Sequence, residues 1–283
     1  MPLLYVDLLG MKARWHDGGV EGARAGYREF EELVVEALAG LPRGTAVSGG
    51  VQSDAAVFSF EHAKDAVSVG RRLLREAFAK ASSRNRTWIR GVILDHGWPV
   101  DAELERVRTL KGAPAGVFTR HFKRPLLEAI NLEQSGFRGQ RLLVANSLVT
   151  HELKAAINVE VAGRPLALFR RLLSARYPTK AHAYQDVLWM LPDDLEAWPG
   201  LKIKMLDALR WASRGDRSDP EFLQASATHL VFAEVDALVY AMGAAAAWRG
   251  VPDATITPLW YRLQLALEQM AASAAKREYR AEP

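Results

Sequence analysis

Residues 2–9, PLLYVDLL, form an apolar run interrupted at one position, Asp7. A run this dense predicts a strand covered on both faces. From about Val20 to Leu38, apolar Tyr27, Phe30, Val34 and Leu38 recur at helical spacing, and Gly40 and Pro42 close the segment. GTAVSGGVQSDAAVFSF (44–60) predicts two strands joined by a tight turn near Gln52–Asp54. Ala63, Ala66, Val67, Gly70, Leu73, Leu74, Ala77 and Phe78 then define one face of a second helix. TWIRGVILDHG (87–97) predicts a short strand, GVFTRHFKRPLLEAINLE (116–133) carries a third helix, and QRLLVA (140–145) is another strand.

The order is β-α-β-β-α-β with further α and β elements behind it. A split β-α-β of this kind predicts an α+β fold, an antiparallel sheet with helices packed on one face. After residue 150, AINVEVAG and AYQDVLWML read as further strands, and from Asp193 onward the pattern is mostly helical. The expected division is a core over 1–165 and a mostly helical extension over 166–283, packed on the core or at a dimer interface.

Composition narrows the function classes. With 49% hydrophobic and 25% charged residues the chain is of ordinary globular type. Its net charge of +4 is mild and scattered, which suits a phosphate-bearing ligand without pointing to a nucleic-acid partner. The absence of cysteine excludes disulfides, thiolate metal sites and a cysteine nucleophile. Asp7 interrupts the only apolar stretch near the N-terminus, and ALVYAMGAAAAW is too short to span a bilayer, so a cytoplasmic chain with no membrane partner is expected. HELKA (151–155) has Ala155 where a zinc-protease motif needs its second His. No phosphate-binding G-x-x-x-x-G-K-[ST] loop and no G-x-S-x-G elbow is present, and Trp189, Trp198, Trp211 and Trp248 read as packing residues rather than a base-stacking platform.

Asp7 is the expensive residue. A carboxylate inside a sheet costs several kcal/mol unless it is paired. In the predicted topology the first strand and the hairpin lie side by side, which brings Asp7 near Asp54. Two adjacent carboxylates repel unless a cation sits between them. Oxygen-only ligands, completed by water and phosphates, suit magnesium or manganese, and a pair of such ions serves displacement at phosphorus. The plainer alternative is that Asp7 caps or pairs locally and Asp54 is a turn aspartate.

On these residues the chain resembles the class III nucleotide cyclases. YVDLLGM is similar to their first-strand F-x-D-I-x-G-F, SDAAVFSF to their metal-binding hairpin, and IRGVILDHG to their R-x-G-I-x-x-G strand, while AINLE precedes QRLLV as A-x-x-L-E precedes a strand in the family. The combination looks most like the pyrimidine cyclases of bacterial Pycsar anti-phage systems, over roughly residues 3–150. The resemblance implies a palm-like class III cyclase fold. It also implies two Mg2+ or Mn2+ ions on Asp7, Asp54 and the Leu8 carbonyl, and a homodimer with active sites at its interface. The substrate would be UTP or CTP, cyclised by attack of the ribose 3′-oxygen on the α-phosphate, and the product would act on a separate effector protein.

The chain departs from the family in two places. Purine cyclases carry a base-reading Lys four residues before the second metal Asp, and here that position is Gly50. The family's Asn and transition-state Arg fall on Leu127 and Asn131. Replacement charge is expected from Arg120, Lys123 or Arg124, or from Arg141; Arg120 and Arg141 are candidate substrate contacts and Arg124 the candidate catalytic cation. RHFKR reads equally as a solvated helix start, and Arg90 suits a structural pair with Glu61 or Asp95 as well as a triphosphate contact. A diguanylate cyclase is disfavoured because SGGVQSDAAV lacks the G-G-[DE]-E-F hairpin. The remaining alternative is a cyclase-like domain that has lost its chemistry and serves as a dimerising or nucleotide-sensing module.

Overall fold

The computed structural model describes residues 1–9, 11–52, 54–80, 88–95, 108–109, 118–119, 139–161, 163–171, 183–191, 195–212, 228, 231–233 and 235–242. A seven-stranded sheet organises it. Its strands are β1 (Pro2–Leu9), β2 (Val47–Gln52), β3 (Ala55–Phe60), β4 (Trp88–Asp95), β7 (Leu142–Ala145), β10 (Phe169–Arg171) and β11 (Tyr184–Val187), in the order β10-β11-β7-β4-β1-β3-β2. Two small hairpins stand apart, β5 (Arg108–Thr109) with β6 (Phe118–Thr119), and β8 (Asn158–Val161) with β9 (Arg164–Ala167). The helices are α1 (Met11–Ala39), α2 (Ala63–Lys80), α3 (His151–Ala156) and α4 (Trp198–Ala212).

The sheet follows from period-two patterning. On β1, Leu4, Val6 and Leu8 point into the main core, where they meet Phe30, Leu33 and Val34 of α1 and Val67, Leu73 and Leu74 of α2. Tyr5 points to the other face, into a smaller cluster with Val92, Leu94, Leu143 and Tyr184. The helices therefore cover one face, as the α+β reading requires. The sheet is mixed rather than wholly antiparallel, because β4 and β7 run parallel. A parallel pair needs a long crossover connection, and residues 96–141 supply one.

The helix predicted from Val20 begins earlier. Helical residues start at Met11, and Gly19 (φ 60°, ψ −148°) breaks the segment in two. Only glycine adopts that backbone cheaply, so the Gly18–Gly19 pair marks the kink. Beyond it Phe30 and Val34 are buried, with Tyr27 and Leu38 packed beside them. The predicted hairpin is present as β2 and β3, and the second helix as α2. The third predicted helix lies outside the described residues, apart from Phe118 and Thr119, which form β6.

Past residue 165, β10 and β11 add to the same sheet, and Trp189 fills the core beside Phe78, its indole N–H donating to the Gln140 carbonyl at 3.0 Å. Trp198 is also buried and stacks on Phe232. Both act as packing residues. Among the described residues no helix is long and apolar enough to cross a membrane.

Two neighbouring glycines on β2 have opposite requirements. Gly49 has φ 141°, and a Cβ there would lie 2.0 Å from the Val57 carbonyl oxygen, whereas a Cβ on Gly50 meets nothing within 4 Å. Gly49→Ala should therefore destabilise the fold by about 1–3 kcal/mol, while Gly50→Ala should stay within about 0.5 kcal/mol of the parent. Urea denaturation of the two variants checks this.

Candidate active site

The site starts from the one position on β1 that the core does not bury. Every other β1 side chain is buried, and Asp7 alone is half-exposed. Alternation puts Asp7 on the same face as Tyr5, away from α1 and α2. Its cross-strand neighbours are Ala55 on β3 and Arg90 on β4. Ala55 has no side chain beyond Cβ, so the space beside Asp7 on the hairpin side is kept open. Arg90 is 7% exposed and sits directly opposite Asp7 in register. Opposed residues in an antiparallel pair bring their Cβ atoms to about 5 Å.

Asp54 is the turn residue immediately before β3. Its carbonyl accepts a bond from the Leu8 N–H at 2.7 Å, which fixes the hairpin turn against the end of β1. Asp54 thus stands one position before Ala55, opposite Leu8 and diagonal to Asp7. The N–H and C=O of a strand residue point to the same side, so the Leu8 carbonyl also faces the turn. The ladder closes no further there: the reciprocal bond, from the Asp54 N–H to the Leu8 carbonyl, is absent between these described residues. Asp7, the Leu8 carbonyl and the backbone of Asp54 therefore lie at one end of β1. Among the described residues, no group of three His, Cys, Asp or Glu side chains forms a metal cage. The donor set is all oxygen and has few protein ligands, which fits Mg2+ or Mn2+ that keep water and phosphate in the shell.

Gly50 pairs with Val57 on the hairpin, and Val57 with Tyr5, so Gly50 lies on the Asp7 face two positions away in register. The lack of any atom near a Cβ there means that the missing Lys is not excluded by crowding. Arg120 and Arg124, with Lys123, Leu127 and Asn131, lie outside the described residues.

Arg141 is placed differently from a solvent-facing phosphate contact. It is 3% exposed, and its guanidinium lies 3.7 Å from the carboxylate of Asp186, itself 2% exposed. Arg170 closes on the same oxygen, through Nε at 3.1 Å and a terminal nitrogen at 2.7 Å. Arg170 and Asp186 are exact cross-strand partners on β10 and β11. The parallel register of Gly91 with Leu142 sets Arg90 beside Arg141. A line of charge thus crosses this face of the sheet: Asp7, Arg90, Arg141, Asp186, Arg170.

Arg90 is a correction to the sequence reading. Neither Glu61 nor Asp95 faces it. Asp95 sits at the far end of β4, 3.8 Å from the N-terminal amine, and Glu61 stands 4.0 Å from His62. Asp186 and Arg170 were not anticipated. The signal was present in AYQDVLWML, an acid inside a strand run, the same anomaly that singles out Asp7.

No family model matches the chain, and no curated protein does. Among solved structures, an adenylate cyclase from Trypanosoma brucei, determined in its monomeric state, is similar at 12% identity over 65% of this chain and 86% of that one, with a TM-score of 0.32. A superposition that loose carries no argument about the site, which stands on the strand register.

Removing one member of a buried ion cluster strands the others. Asp186→Asn should cost about 3–5 kcal/mol, because it leaves two buried guanidinium groups without their shared carboxylate. Equilibrium urea unfolding measures it, with the exposed Glu21→Gln as a control expected to lie within about 0.5 kcal/mol.

Proposed function

We propose that the chain is a nucleotide cyclase that converts UTP or CTP to the 3′,5′-cyclic monophosphate and pyrophosphate. The observation that supports this is the strand register, in which Asp7 stands half-exposed opposite Ala55 and the Asp54 carbonyl accepts from the neighbouring Leu8 N–H. Asp7, Asp54 and the Leu8 carbonyl would hold two Mg2+ or Mn2+ ions. Bound there, the ions would favour ionisation of the ribose 3′-hydroxyl and neutralise charge on the triphosphate. The 3′-oxygen forms a bond to the α-phosphorus as the bond to the β-phosphate bridging oxygen breaks, and pyrophosphate leaves with the electron pair.

The chain's own groups do the positioning. Arg90, opposite Asp7 in register, would limit the orientation of its carboxylate. Arg124 and Arg120 are proposed to meet the transferred phosphoryl group and the phosphate tail, where one cation is worth orders of magnitude in rate. Arg141 is proposed as a further contact, and it would have to exchange Asp186 for phosphate to act so. Gly50 leaves the base side without an ammonium donor, which removes the usual support for a purine. A homodimer with the sites at its interface, working in the cytoplasm and signalling to a separate effector in anti-phage defence, completes the proposal.

A second reading has its own observation. Asp7 already faces Arg90, and Asp186 already serves Arg141 and Arg170, so the charge line has internal partners without metal. In that case the domain binds nucleotide or dimerises without chemistry.

Incubation with Mn2+ and each of the four ribonucleoside triphosphates, followed by mass spectrometry, separates the two. Cyclic UMP or cyclic CMP is expected, lost on chelation with EDTA and reduced about 10²–10³-fold or more in Asp54→Asn and Asp7→Asn. A purine product would overturn the specificity. No product from a folded protein that still binds a triphosphate would establish the second reading.

A further inference from the structure

At the far end of α1, a cleft of about 280 Å³ opens where its last turn meets the first turn of α2 and the end of α3. The stretch of α1 from Val20 to Ala39 rises about 1.5 Å per residue, so the cleft lies roughly 30 Å from the start of that stretch. Leu41, Val69 and Ile157 give it an apolar wall. Into it faces Asp65, only 8% exposed. Its N–H is bonded to the His62 carbonyl, but among the described residues its carboxylate has neither a hydrogen bond nor an ion pair. Helix position accounts for an acid in the first turn of α2. It does not account for an acid that is mostly covered yet keeps its carboxylate oxygens open to the cleft, since they are not among the sealed polar atoms.

Arg72 lines the same cleft and is held in place. One guanidinium nitrogen donates to the Ala37 carbonyl at 3.2 Å, satisfying the C-terminal end of α1. The group lies so close over Gly40 that a Cβ there would come within 0.9 Å of it. A guanidinium carries five N–H donors, and only that one bond is formed among the described residues. Lys64, exposed at the rim, adds a second cation.

These groups specify a ligand. A carboxylate that opens only onto a small cleft favours a donor there, best a cationic one. Two cations in the same small cleft disfavour a plain cation and call for an anion nearby. The apolar wall calls for a hydrocarbon body between them. The volume is at the bottom of the range for ligand sites, too small for a nucleoside triphosphate. We propose that this cleft binds a free α-amino acid with an apolar side chain, its ammonium on Asp65, its carboxylate on Arg72 and Lys64, and its side chain against Leu41, Val69 and Ile157. The proposal stands apart from the cyclase reading and does not depend on it.

Isothermal titration of the full chain with leucine, isoleucine and valine tests it, beside two analogues of leucine, 4-methylpentanoate without the ammonium and 3-methylbutylamine without the carboxylate. Saturable binding of at least one amino acid is expected, about tenfold or more weaker for each analogue and for Asp65→Asn. Gly40→Ala should fold, since its Cβ displaces only the end of a flexible side chain, yet weaken binding several-fold by pushing Arg72 aside. Lys64→Glu, at an exposed position, should weaken it too, and these two variants decide the matter if Asp65→Asn does not fold. The proposal is overturned if none of the three amino acids binds below about 10 mM, if either analogue binds as well as leucine, or if binding survives unchanged in the folded variants.

Discussion

Charge inside a sheet has to be matched, and that constraint orders the second face of this protein. Five ionised side chains lie on five neighbouring strands, β1, β4, β7, β11 and β10, or at their ends. At one end the matching is internal and tight, with two guanidinium groups on Asp186. At the other end Asp7 is only half-buried, and the turn that carries Asp54 is bonded to its neighbour Leu8. The closed end holds the strands in register so that the open end has a defined shape.

The helix-covered face does the complementary work. Leu4, Val6 and Leu8 bury against α1 and α2, and a slip of one residue in β1 would put those three outside and Asp7 into the apolar core. Hydrophobic burial on one face thereby fixes where the acid stands on the other. The bond from the Leu8 N–H to the Asp54 carbonyl extends that control to the hairpin turn. Packing, register and site geometry are one problem solved by the same strand.

What the sequence made legible was local. The β1 run, the hairpin around Asp54 and the face of α2 are written in patterns of period two and period 3.6, and the helix-covered sheet follows from their order. The pairing of the two strands around Asp54 was readable because a hairpin leaves few ways to pair. The neighbour of Asp7 on its other side was not, since Arg90 comes from a strand far along the chain, and nothing local sets that register. The parallel pairing of β4 with β7 escaped for the same reason. Asp186 was readable in principle, but its partners Arg141 and Arg170 come from two other strands. The Gly18–Gly19 break falls inside a segment whose helical pattern begins only after it. Arg120 and Arg124 lie outside the described residues, so their part in the site rests on sequence.

Asp7 has a second consequence, earlier in the life of the molecule. β1 is synthesised well before β3 and β4, the strands that cover both its edges. Until they arrive it is a run of large apolar residues of high strand propensity, the kind of segment that pairs with copies of itself. One negative charge in the middle of that run repels an identical neighbour in register. The residue that leaves one end of the finished sheet half-open would thus also keep nascent chains apart.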